Sequence, residues 1–235
     1  MGSIQDERGF NQGFKLIGST SFRARRRGDW FIAEAKRVRA RRILELGCGT
    51  GETASHVSAG TDADVLAVDI SNAFISQARA TYTAPNLHFR KLDLLNDEPL
   101  LLGDFDLVMG NGILHHLGAH LVAVLRRLHE ITNPGGRLAF IEPNILNPYC
   151  AFIFGTNIGR RWAKLEPGEM AFKPGALRDA LPASGWRDVR VCTRDFLVPG
   201  VPKMLVSPIL AIEPALEATS ATRWLAQSHF VTAEQ

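Results

Sequence analysis

Long uninterrupted apolar runs, paired cysteines and the residue pattern that marks export are all lacking in this sequence of 235 residues. The greasiest stretch, residues 197–212, is broken by Pro199, Pro202, Lys203 and Pro208. It never offers the roughly 20 apolar residues that a membrane-spanning helix needs. The first eighteen residues are mixed and polar rather than a basic patch followed by an apolar run, so no export is expected and the chain is read as cytoplasmic. Cys48, Cys150 and Cys192 are scattered without C-x-x-C spacing. That excludes a disulfide framework and a cysteine zinc site, and leaves reduced packing residues. No repeat or low-complexity tract appears.

What is present is enough apolar material, 46% of residues, for one sizeable core and a single domain. Charge is unevenly placed. Residues 1–42 hold eleven Lys or Arg against four Asp or Glu, so the net +3 splits into +7 there and −4 beyond. Such a basic segment attracts nucleic acid or an anionic membrane surface. Its arginines, however, alternate with Trp30, Phe31, Ile32 and Val38, the pattern of an amphipathic helix with a solvated basic face. Nucleic acid is therefore not the expected partner; a peripheral membrane contact stays open, and the oligomeric state is not legible.

From Arg42 onward, short apolar runs alternate with helical-period segments, the pattern of βαβ units around a parallel sheet. Strands are expected at 43–46, 65–68, 87–90, 105–109 and 137–142, the last following the breaker turn Asn133-Pro134-Gly135-Gly136. Helices are expected near 52–58, from an N-cap at Ser71 through Tyr82, at 121–131 and near 175–181. Two closing strands, 189–193 and 229–232, complete the set. The division reads as a basic helical extension (1–42), a cofactor-binding core (43–142) and two acceptor-side insertions (143–175 and 196–225).

Open parallel sheets bind ligands at the carboxyl ends of their strands. Three acids fall there: Glu45, Asp69 and Asp93. The turn Gly47-Cys48-Gly49-Thr50-Gly51 lets backbone approach a ligand closely, because glycine has no Cβ and tolerates positive φ. A dinucleotide fingerprint would need Gly or Ala at position 52, where this chain has Glu52, whose carboxylate would repel a pyrophosphate. A nucleoside bearing a sulfonium cation tolerates that acid. Asp69 can accept both ribose hydroxyls, each bond contributing about 1.5–3 kcal/mol, and Asp93 can accept from an adenine amino group.

Glu45-Leu46-Gly47-Cys48-Gly49-Thr50-Gly51, Val68-Asp69, Leu92-Asp93-Leu94 and Phe105-Asp106-Leu107-Val108 together resemble, in order and spacing, the class I S-adenosylmethionine-dependent methyltransferases, over about residues 40–142. The resemblance implies a Rossmann-like, doubly wound α/β fold with a mostly parallel seven-stranded sheet, an antiparallel C-terminal strand and helices on both faces. It also implies S-adenosyl-L-methionine as cofactor. Glu45 with Gly47, Cys48, Gly49 and Gly51 would hold its methionine part, Asp69 and Ile70 its ribose, and Asp93 and Leu94 its adenine. Asn111 would face the cofactor from the exit of the fourth strand.

The acceptor side is less defined. His115 or His116 could serve as general base, and Glu142, after the fifth strand, puts a carboxylate where the acceptor should sit. Asn144, Asn147 and Tyr149 follow where an acceptor should sit. This stretch departs from the Asn/Asp-Pro-Pro-aromatic motif of amino-group methyltransferases and resembles the ubiquinone-biosynthesis-like small-molecule group. His116 and His120 share metal-ligand spacing but lack a third ligand nearby, so no metal is expected. Phe152, Ile153, Phe154, Trp162, Phe172, Phe196, Val198, Met204 and Leu205 suggest a small, apolar or lipid-like acceptor. Other readings are an RNA methyltransferase using the basic N-terminus, a non-catalytic cofactor-binding regulator, and a nicotinamide oxidoreductase.

Overall fold

The computed structural model describes residues 6–7, 19–97 and 103–235. A basic helix α1 (Ser19–Arg37) precedes β1 (Arg42–Leu46), α2 (Glu52–Gly60), β2 (Asp64–Asp69), α3 (Asn72–Thr81) and β3 (Leu87–Lys91). Then come β4 (Phe105–Asn111), two short 3-10 turns, α4 (Leu121–Glu130) and β5 (Thr132–Pro143). Beyond β5 lie α5 (Pro148–Gly155), α6 (Asn157–Ala163), α7 (Pro174–Ala183), β6 (Arg187–Arg194), α8 (Lys203–Ala218), α9 (Ser220–Arg223) and β7 (Ser228–Glu234).

The seven strands form one sheet in the order β3-β2-β1-β4-β5-β7-β6. β1 to β5 are parallel, and β7 runs antiparallel to both β5 and β6. Successive side chains of a strand point to opposite faces, so each inner strand feeds two cores. Leu44, Leu46, Val108, Leu138, Phe140 and Val231 pack with Leu125 and Leu128 of α4, Leu177 and Leu181 of α7, and Trp186. Ile43, Val65, Ala67, Leu107, Met109 and Ile141 pack on the other face with Phe31 and Ala35 of α1, Val57 of α2, and Ile75 and Ala78 of α3. Burial on both faces is why these strands read as near-continuous apolar runs. The strand order reverses between β1 and β4, which opens the crevice described below.

Two expectations need correction. β5 begins at Thr132, before the turn Asn133-Pro134-Gly135-Gly136. The pairing jumps from Phe105↔Thr132 to Leu107↔Arg137, so the breaker residues bulge out of a strand instead of preceding it. The second concerns α1, whose arginines are not simply a solvated face. Arg23 is buried and joins Gln227. Arg26 pairs with buried Glu213 of α8. Arg27 spans Asp195 (2.8 Å), Gln227 (2.9 Å), Ser228 (2.6 Å) and Asn111 (3.0 Å). Asp195, just past β6, is 4% exposed; a carboxylate so placed requires counter-charge, and α1 supplies it. Arg25, Lys36 and Arg37 stay on the solvated face, and Arg26 is still exposed while it reaches Glu213. Arg27→Ala is expected to lower unfolding free energy by about 2 kcal/mol, since Arg23 and Arg26 still lie near Asp195. A urea melt showing no change would remove α1 from the stabilising set.

β7 carries a second buried polar group. His229 sits opposite Glu142 in the antiparallel pair, with Nδ1 2.9 Å from the Thr193 hydroxyl and Nε2 3.1 Å from the Phe172 carbonyl. Burial, helped by Arg178, depresses its pKa to about 4, against opposing contributions from the Phe172 carbonyl and Glu142. The folded state therefore binds fewer protons than the unfolded chain between about pH 6.5 and 4, and stability must fall as pH drops through that window. The expected loss is about 2 kcal/mol, and His229→Gln should show a flatter profile. Urea midpoints at pH 7 and pH 4.5 that fall equally in both proteins would contradict this.

Candidate cofactor and acceptor site

β1 ends at Leu46 and the chain turns through residues 47–51 into α2. Two glycines of the turn are pressed against the protein. Gly47 (φ +61°) would put a Cβ 2.6 Å from Ile113, and Gly51 (φ +91°) would put one 2.8 Å from Phe89. Between them, Gly49 (φ +52°) has nothing within 4 Å of its Cβ position, so the bare backbone there faces open space. The Gly49 amide donates to Asp69 Oδ2 (2.9 Å), and the Ser71 amide to Asp69 Oδ1 (2.9 Å). Asp69 thus ties the glycine turn to the start of α3. Ser71 caps that helix by accepting from the Phe74 amide at 3.2 Å. Glu7 reinforces the cap by accepting from the Ser71 hydroxyl (2.5 Å) and the Asn72 amide (2.8 Å). The same bonds, Ser71 foremost, hold its carboxyl down at about 2.

The turn floors a cleft of about 370 Å³, within the range of small-molecule sites. Among the described residues, six carboxylates line it, those of Asp6, Glu45, Glu52, Asp69, Asp93 and Glu166, and no Lys or Arg does. Glu45 is 2% exposed, and one of its carboxylate oxygens has no hydrogen-bond partner among the described residues. Burial, then the Glu52 and Asp69 charges, push its pKa well above the usual carboxylate range, against one bond from the Ala54 amide. A buried acid with an unmet acceptor is a demand for a donor or cation from outside the chain. Asp93 accepts from the Leu95 amide (3.0 Å) and the Asn96 side chain (2.8 Å), a local turn that shapes the rim at Leu92, Leu94 and Leu95. Asn111 faces the cleft with its oxygen held by Arg27.

Of the residues assigned to cofactor, Glu45, Gly47, Cys48, Gly49, Asp69, Ile70, Asp93, Leu94 and Asn111 line this cleft. Gly51 lies behind it, against Phe89 and Ala78. Asp6, Thr50, Thr53, Phe74, Ile113, Leu117 and Glu166 also line it and went unassigned. Thr53 follows the glycine turn directly as the second residue of α2; Asp6 and Glu166 come from distant chain and leave no local signal.

The acceptor assignments fare differently. His116 lines the cleft. His115 is buried, with Nδ1 2.8 Å from Glu142 Oε2 and Nε2 3.3 Å from Glu169 Oε1. Burial opposes its charge, but the bonds to Glu142 and Glu169 prevail and raise its pKa to about 9. Its ring is a clasped double donor, not the free imidazole that a base requires. Glu142 is 1% exposed and accepts from the amides of Ile113 (3.1 Å), Leu114 (2.8 Å) and His115 (3.2 Å). It organises the exit of β4 and has no face toward the cleft. Asn144 donates to the carbonyls of Trp224 and Ala226, and Asn147 caps α5 while donating to Leu225. Both are fasteners between the insertion and the approach to β7, and Tyr149 is likewise outside the cleft lining. None of the nine apolar residues offered for a greasy acceptor lines it either: Ile153 and Phe172 are buried in the protein, and Phe152, Trp162, Met204 and Leu205 are exposed. His120 is exposed; the ligand-type cluster that forms instead is His115, His116 and Glu169.

A doubly wound sheet with this strand order and an acid-lined glycine turn at its switch point is the Rossmann-like, class I methyltransferase architecture. Residues 44–138 match the family model described as a methyltransferase domain, and solved proteins of the same fold are S-adenosylmethionine-dependent methyltransferases. The chain is 40% identical over 102 residues to trans-aconitate 2-methyltransferase of Deinococcus radiodurans, covering 43% of this chain and 37% of that protein. It is 29% identical over 141 residues to squalestatin hexaketide synthase of a Phoma species, covering 55% and 5% respectively. The chain thus spans well under two thirds of the length of these relatives. Among solved structures, an S-adenosylmethionine dependent methyltransferase from Mesorhizobium loti superposes with TM-score 0.59 at 21% identity, covering 83% of this chain and 90% of that one. Magnesium protoporphyrin IX methyltransferase from Synechocystis, solved with bound SAH, gives 0.60 at 15% identity, covering 95% and 90%.

Proposed function

We propose that this protein transfers a methyl group from S-adenosylmethionine to a small-molecule acceptor. The observation that carries the reading is the cleft lining: six carboxylates, one of them buried with an unmet oxygen, around a bare-backbone turn. That set suits a cationic nucleoside and repels a pyrophosphate. When bound, the cofactor supplies an electrophilic methyl on sulfur. Asp69 would hold the ribose, Asp93 and Leu94 the adenine edge, and Glu45 with the glycine turn the methionine ammonium. The remaining wall, Asn111, Ile113, His116, Leu117 and Glu166, would seat the acceptor. Apolar Ile113 and Leu117 beside His116 and Glu166 favour a partly apolar acceptor with one polar end. The chain's contribution is then mainly alignment and exclusion of water, which lowers such barriers by roughly 7–11 kcal/mol.

Against the RNA reading, Arg23 and Arg27 are committed to contacts inside the fold, although Arg25, Lys36, Arg37, Arg39, Arg41 and Arg42 remain exposed. The test is incubation of the full chain and an extract of small metabolites with methyl-labelled cofactor. Label is expected in a small organic product. Label in RNA, or binding without turnover against any extract fraction, would replace this reading with the RNA or regulatory alternative.

A further inference from the structure

At the acceptor end of the cleft, two histidines from the β4 exit meet two glutamates from the loop between α6 and α7. His115 Nε2 lies 3.3 Å from Glu169 Oε1, and His116 Nδ1 lies 3.8 Å from Glu169 Oε2 and 3.9 Å from Glu166 Oε2. One donor atom each from His115, His116 and Glu169 falls within 4.8 Å of the others. Donors that share one ion at about 2.0–2.2 Å sit roughly 3.0–3.6 Å apart, so the His115–Glu169 pair already fits and the wider pairs would have to close in by side-chain rotation. His115 and Glu169 are buried, and His116 and Glu166 are mostly so.

We propose that His115, His116 and Glu169, with Glu166 at the open side, form a binding site for a first-row divalent metal ion beside the cofactor cleft. Three features favour an ion over a plain ion-pair knot. First, the cluster is short of positive charge: Glu142, Glu166 and Glu169 surround two imidazoles in a region where water is largely excluded, and buried carboxylates call for cations. Second, the outer support of a ligating histidine is already built. Glu142 accepts from His115 Nδ1 at 2.8 Å and is itself fixed by three backbone amides; an ion that displaces the Nε2 proton now directed at Glu169 would then find the carboxylate–histidine–metal arrangement. Third, the site is not closed: His116 and Glu166 also line the cleft, so an ion there would present a free coordination position where the acceptor is placed. Two imidazoles with carboxylates and no thiolate suit Zn²⁺, Mn²⁺ or Fe²⁺ better than Mg²⁺. Resting on the methyl-transfer reading, the ion's role would be to bind an acceptor oxygen and ease its deprotonation, the service that the clasped His115 cannot give as a free base.

The experiment is a calorimetric titration of the full chain, freed of metal by chelator, with Mn²⁺ and with Zn²⁺. S-adenosylhomocysteine affinity and melting temperature are measured on the same samples. One saturable ion per chain is expected, with affinity at least about tenfold weaker in His116→Ala and in Glu169→Gln. Glu166→Gln, at the rim, serves if either variant melts early, and should also weaken the ion. No saturable binding, or binding equal in wild type and variants, overturns the metal site. Because nucleoside affinity is read separately, a chain that binds S-adenosylhomocysteine but no ion fails this inference alone, whereas one that binds the ion but no nucleoside fails the methyltransferase reading.

Discussion

Replacing Asp69 by alanine should weaken S-adenosylhomocysteine binding by 100-fold or more while leaving the fold intact. The reasoning is additive over two functions of one carboxylate. It accepts from the Gly49 and Ser71 amides and so sets the glycine turn against α3. It lines the cleft, where it would accept from a ribose diol as well. Charge-assisted bonds contribute about 1.5–3 kcal/mol each, so two lost at the ligand correspond to a factor of roughly 10² to 10⁴. Asp69 lies at the carboxyl end of β2, partly exposed, so its removal leaves no large cavity in either core. Asp69→Asn keeps the shape but loses the charge and half the acceptors, and should fall between the two. Calorimetry gives the affinities and near-UV circular dichroism checks the fold; full affinity in Asp69→Ala would show that the ribose is held elsewhere.

Glu45→Gln should move stability and binding in opposite directions. In the wild-type chain the carboxyl is buried with an unmet oxygen, and burial with the neighbouring Glu52 and Asp69 charges makes ionisation costly. For an acid whose pKa is raised on folding, stability is lost as pH rises above the unfolded value toward the folded one. Near neutrality the neutral amide removes that penalty, so the ligand-free variant should melt at the same temperature or higher. A cationic ligand, however, gains from the ionised form in a site of low dielectric, and the amide forfeits that gain. Affinity for S-adenosylmethionine is expected to fall about 100-fold. A variant that is both less stable and unchanged in affinity would make Glu45 a structural residue without a ligand role.

The cofactor half of the site was legible because its signals are local. The glycine turn, Asp69 and Asp93 each sit within a few residues of a strand end, so strand periodicity and turn chemistry place them without knowledge of the whole fold. The acceptor half is assembled from distant segments. Asn144 and Asn147 look like ligands in isolation, yet the chain near Trp224 to Ala226 returns to consume their amides. Glu142 follows a strand as a catalytic acid would, yet three amides of the β4 exit fold back onto it. The arginines of α1 show the helical period of a solvated face, and only the position of Asp195 after β6 reveals why several turn inward. Glu166 and Glu169 drew no notice because the loop that carries them reaches the two histidines only in the folded chain.

The central claim is that an acid-lined glycine turn selects a positively charged thioether nucleoside. Titrating the full chain with S-adenosylmethionine and, separately, with NAD tests it most directly. One equivalent of S-adenosylmethionine is expected to bind, with a matching rise in melting temperature, and NAD to give no heat. Saturable NAD binding with S-adenosylmethionine inert would contradict it.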